Sequence, residues 1–130
     1  MKRTKLLYIT LSFFLLLITS ACNKQPDIDI SETLRKTEEF FRQAEKIDAT
    51  ASSFDGKKDV KFRLMVEGKL TEDEAILLFN KISDSLIKYS NQSDIWNYYN
   101  GYFDIKSYDS GVIFEATKLI GEDLEAGYKQ

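Results

Sequence analysis

Apolar and polar residues follow several rhythms along this chain, and each rhythm predicts an element. From Leu6 to Ile18 almost every residue is apolar. From Ser31 to about Ala51 the apolar positions are Leu34, Phe40, Phe41, Ala44, Ile47 and Ala51, with Thr37 filling the gap. Intervals of three and four predict one stripe of an amphipathic helix. Asp29 or Ser31 can cap its start, and Glu32 with Lys36 and Glu38 with Arg42 fall in the favourable i,i+4 order. The segment "SSFDGKKD", Ser52 to Asp59, breaks the pattern. The period then changes to two: Val60, Phe62, Leu64 and Val66 alternate with Lys61, Arg63, Met65 and Glu67, as in a strand with one face in the core and one in water. Thr71 and Glu74 have the spacing of a capping box. They head a second helix whose stripe is Ala75, Leu78, Phe79, Ile82, Leu86 and Tyr89, ending near Ser90 to Ser93.

The stretch "IWNYYNGYFDIK", Ile95 to Lys106, contains Asn100-Gly101, the dipeptide suited to a two-residue hairpin turn. That turn pairs Tyr99 with Tyr102 and Tyr98 with Phe103. It places Trp96, Tyr98, Phe103 and Ile105 on one side and Asn97, Tyr99, Tyr102, Asp104 and Lys106 on the other. A hairpin is therefore expected in preference to a short helix from Ser93 to Asn100 stopped by Gly101. A four-residue loop from Tyr108 to Gly111 then pairs Ser107 with Val112, Ile105 with Phe114 and Phe103 with Ala116. It also sets Asp104 against Glu115, a like-charge pair. The tail, residues 121–130, reads as a frayed helical turn or disorder.

Together these predict an α+β domain over residues 31–120, with two amphipathic helices packed on one face of a small, mainly antiparallel four-stranded sheet in the order α-β-α-β-β-β. The other sheet face stays open. Its candidate interaction residues are Arg63, Tyr99, Tyr102, Asp104 and Lys106, with Tyr108 near the end of the same strand. Facing tyrosines can form a recognition surface or simply a stabilising cross-strand pair.

The first apolar run has its own meaning. It follows a basic start, Met1-Lys2-Arg3-Thr4-Lys5, with no acid before Asp27, which is the layout of a secretory signal. As a helix, residues 6–21 would rise only about 24 Å at ~1.5 Å per residue, short of a hydrocarbon core of ~30 Å. The run ends Thr19-Ser20-Ala21 directly before Cys22, the one cysteine of the chain. This resembles the lipobox of bacterial lipoproteins, with Thr19 where that family prefers Leu. The resemblance implies cleavage between Ala21 and Cys22, a diacylglycerol on the Cys22 sulfur, and anchoring on the extracytoplasmic side of a cell membrane, with residues 1–21 as signal and 22–30 as lipidated cysteine and tether. Two acyl chains hold a protein on a bilayer where one is marginal.

Charge and residue content narrow the chemistry. Residues 1–21 hold three basic residues and no acid, so from Cys22 onward 15 of the 18 Lys and Arg stand against all 21 Asp and Glu, a net −6. An acidic surface argues against nucleic acid. The chain has no histidine, which removes the usual zinc, copper and non-haem iron ligand sets and any imidazole base. Asp55, Gly56 and Asp59 lack the spacing of a calcium loop, and there is no glycine-rich phosphate loop. No cofactor and no catalysis are expected. The expectation is a monomeric, lipid-anchored protein that binds and modulates another protein at the membrane surface, in the manner of immunity, exclusion or inhibitor lipoproteins. The alternative is a binding module for a small ligand or cell-wall fragment.

Overall fold

The computed structural model describes residues 26–128; the expected signal, the expected cleavage between Ala21 and Cys22 and the expected lipid attachment at Cys22 fall outside them. Helix α1 spans Ile30–Arg42, capped by Asp29, whose carboxylate accepts the Glu32 N–H at 3.1 Å. It buries Leu34, Thr37 and Phe41. The expected Glu38–Arg42 pair forms at 3.5 Å, but Glu32 pairs with Arg35 and not with Lys36.

The helix does not run on to Ala51. Residues Ile47–Phe54 form strand β1, antiparallel to β2, Asp59–Val66. Ile47 and Ala51 do fall at helical spacing, yet the segment also alternates. Thr50 and Ser52 lie beside Leu64 and Phe62 on the helix side of the sheet, and Ala49, Ala51 and Ser53 point the other way. The alternation is hard to see because the inward face is polar. Both hydroxyls donate to Glu38 of α1, at 2.9 and 3.0 Å. In the β1–β2 turn the Asp55 carboxylate accepts the N–H groups of Lys57, Lys58 and Asp59 at 2.8 to 3.0 Å, around Gly56 at φ +83°.

Helix α2, Glu72–Ser90, begins with the expected capping box: Thr71 Oγ1 accepts the Glu74 N–H at 3.2 Å, and the Glu74 carboxylate accepts the Thr71 N–H at 3.4 Å. It carries the chain across the sheet, so that β3, Asn100–Ser107, lies parallel to β2. Strands β4, Gly111–Lys118, and β5, Glu125–Tyr128, follow antiparallel. The result is a five-stranded mixed sheet in the order β1-β2-β3-β4-β5, with element order α-β-β-α-β-β-β. This corrects the four-stranded α-β-α-β-β-β arrangement at three places: β1 replaces the end of a helix, β5 replaces the frayed tail, and the strand expected before Asn100-Gly101 is absent. The core holds Phe41, Phe62, Leu64, Phe79, Ile82, Leu86, Ile105 and Phe114 between the helices and the sheet.

The Asn-Gly hairpin does not form. Ile95–Asn97 is a single 3₁₀ turn and the strand begins at Asn100. Asn100 serves as a tie: its N–H donates to the Lys58 carbonyl at 2.8 Å, its side-chain nitrogen to Asp59 at 3.1 Å, and its side-chain oxygen accepts the Ile120 N–H at 2.8 Å. Gly101 leaves room for the Phe103 and Trp96 rings, which meet edge to face with centroids 5.9 Å apart. Trp96 is core, as expected, though from a turn and not from a strand.

The β3–β4 register holds for Ile105 with Phe114, Phe103 with Ala116 and Asp104 with Glu115. A bulge between Ile105 and Lys106 moves the end of the hairpin, so Lys106 faces Val112 and Ser107 faces Gly111. Ile113 packs partly against the core.

Three exposed carboxylates are held below their ordinary range: Glu32 by its hydrogen bonds from Arg35, Asp55 by the N–H groups of Lys57, Asp59 and Lys58, and Glu74 by Lys46 and then Thr71. A carboxylate depressed in the folded state adds stability that is complete above its unfolded pKa and lost as pH falls through its folded one. The urea midpoint is therefore expected to decline from neutral pH toward about pH 2. Asp55→Asn should lower the midpoint at neutral pH and flatten that decline. An unchanged pH dependence in this variant would show that the turn contributes nothing.

Candidate functional site

The face of the sheet away from the helices is an open trough of about 730 Å³ crossing β1, β2, β3 and β4. Strand alternation sends every second side chain there. Register aligns them in rows: Ser53, Lys61, Tyr102 and Thr117 in one, and Ala51, Arg63, Asp104 and Glu115 in the next. Small residues on β1 keep one end of the floor low.

Arg63 and Asp104 form the fixed centre. Nε donates to one carboxylate oxygen at 2.7 Å and an Nη to the other at 2.9 Å, a two-pronged geometry stronger than a single contact. Asp104 raises the Arg63 pKa further through this hydrogen bond. The guanidinium also offsets the Asp104–Glu115 juxtaposition. Because Arg63 is 40% exposed, the pair adds little to stability after solvent screening and chiefly holds two polar groups in place. Among the described residues neither Lys61 nor Glu115 has an ion-pair partner. Tyr102, 37% exposed, supplies the apolar surface between them.

The remaining expected site residues separate. Tyr99 is not on this face: it is 4% exposed and its ring packs on Phe54 with centroids 5.8 Å apart. Burial raises its pKa. Loss of the hairpin explains the change, because the 3₁₀ turn rotates Tyr99 inward. Lys106 lies one row beyond the trough, between Met65 and Val112. Tyr108 is exposed in the β3–β4 turn, and its hydroxyl donates to Asp48 at the start of β1, which raises its pKa. Ala51 and Ser53 were not among the expected site residues; the two-residue alternation through Ala49, Ala51 and Ser53 was the available signal.

Among the described residues no group of His, Cys, Asp and Glu could hold a metal ion, and no helix is long and apolar enough to cross a membrane. No protein-family model matches the chain, and no curated protein matches it.

Proposed function

We propose that this chain is a lipid-anchored extracytoplasmic protein that binds another protein at the membrane surface and modulates it, with the trough as the docking face. The anchor rests on the sequence from Lys2 to Cys22. The docking face rests on one observation: a preformed row of Arg63, Asp104 and Glu115 beside exposed Tyr102 and Lys61, on a sheet face that no other described element covers. Tyrosine and arginine are the residue types that carry binding energy at such centres. A second reading, a small ligand or wall fragment, is favoured by the trough's size, which lies within the ~300–1,000 Å³ typical of small-molecule sites.

The test is crosslinking in intact cells, followed by recovery of the tagged chain. Tyr102→Ala should weaken capture of a protein partner about 30-fold, equivalent to ~2 kcal/mol. Its melting temperature should stay within about 4 °C of the parent. Cys22→Ala should remove the partner by releasing the domain from the membrane. Undiminished capture by Tyr102→Ala would remove the trough from the interface, and capture independent of Cys22 would remove the need for an anchor. Tyr99→Ala, by contrast, is a core truncation and its effect reads on folding.

A further inference from the structure

The chain enters the fold at one end of the sheet. Ile28 packs partly against the core and Asp29 caps α1. From Glu38, which meets Thr50 and Ser52 of β1, the helix runs back about 13 Å to Asp29 at ~1.5 Å per residue. It is antiparallel to β1, because Arg42 meets Thr50 while Glu38 reaches on to Ser52. Ile28 therefore lies beside the β1–β2 turn. The β3–β4 turn at Tyr108 is at the other end, one eight-residue strand away, or about 26 Å at ~3.3 Å per residue.

Cys22 precedes Ile28 by six residues, a span of at most about 22 Å when fully extended. With a lipid on Cys22 the far turn cannot rest on the bilayer, since Ile28 would then stand ~26 Å above it. Nor does the open face lie flat on an anionic bilayer, because Asp59, Asp104, Glu115 and Glu125 outnumber Lys61 and Arg63 there. The trough thus stays accessible. Its rows begin at Ser53 and Ala51, close to the β1–β2 turn and one layer across from α1, within about 20 Å of Ile28. Every position the tether allows keeps them within about 40 Å of the bilayer surface.

An anchor makes no contact with a partner; it raises binding by confining both proteins to one thin layer, and a partner free in solution gains nothing from it. Given the lipid anchor and docking face proposed above, we infer that the protein seated in the trough is itself held in the same membrane and offers its complementary surface within about 40 Å of the bilayer. That surface sets a basic group against Glu115 and an acidic group against Lys61, the trough charges that lack an ion-pair partner among the described residues.

The test crosslinks the full chain in intact cells after lengthening the tether by about 30 Gly and Ser residues between Gln25 and Pro26, ahead of the first residue that packs on the core. The longer chain should melt like the parent and still sediment with membranes, yet recover about tenfold less partner, because effective concentration falls roughly as the −3/2 power of tether length. Traced in cells that lack this chain, the recovered protein should stay with the membranes through a salt wash. Its presence in the soluble fraction, or equal recovery by long and short tethers, would overturn the inference. Loss of capture by Tyr102→Ala in the same cells would then leave the docking face standing. Glu115→Lys should weaken capture by about tenfold, and undiminished capture by this variant would overturn the charge match. Recovery of no protein at either length would overturn the docking reading and the shared membrane together.

Discussion

Phe62→Ala is expected to cost about 3–5 kcal/mol, the range for truncating a large aromatic in a packed core. Phe62 is 2% exposed on β2, and its ring lies 5.8 Å from that of Phe41 on α1. It therefore joins the first helix to the second strand, while Phe103 and Leu64 flank it in the sheet. Against a total stability of about 5–15 kcal/mol for a domain of this kind, the loss should lower the urea midpoint by roughly 2 M or more. A change below about 1 kcal/mol would show that α1 does not close over β2 as described.

Gly101→Ala is expected to cost about 1–3 kcal/mol by overpacking. A Cβ there would stand 2.7 Å from Phe103 Cζ and 3.0 Å from Trp96, and both rings are buried. Gly101→Asn separates this cause from the one its sequence context suggests. In a hairpin turn with positive φ, asparagine would be nearly as good as glycine. Gly101 is not among the glycines with positive φ, so asparagine should destabilise at least as much as alanine. Thermal melts of the two variants decide between the causes, at ~4–8 °C per kcal/mol.

The Asn-Gly pair shows how a local signal can be right about a residue type and wrong about its use. Both residues are needed at that point, one for its side-chain ties and the other for the space beside Trp96. Neither requirement is local in sequence. What was legible depended on signals within one element: Leu34, Thr37 and Phe41 of the α1 stripe, most of the α2 stripe, the alternation of β2 and most of the β3–β4 register follow from contrast between apolar and polar neighbours, and the capping box from its Thr–Glu spacing. Strand β1 lacked that contrast because its inward hydroxyls answer a carboxylate on α1. Strand β5 is four residues holding a single large side chain, Tyr128.

The site divides the same way. Arg63, Tyr102 and Asp104 lie on one face as the alternation requires. That Arg63 and Asp104 touch depends on a parallel register between residues 41 positions apart, set by where α2 delivers the chain. No spacing near either residue records it.

The strands stand in the sheet in the same order as in the chain. No strand has to insert between two that are already paired, and each new one finds its seat at the growing margin. A polypeptide emerging N-terminus first can therefore lay the sheet down progressively, with the α2 crossover as the one long-range closure it must wait for. Interrupting synthesis after Lys118 would leave a sheet missing a border and not a middle.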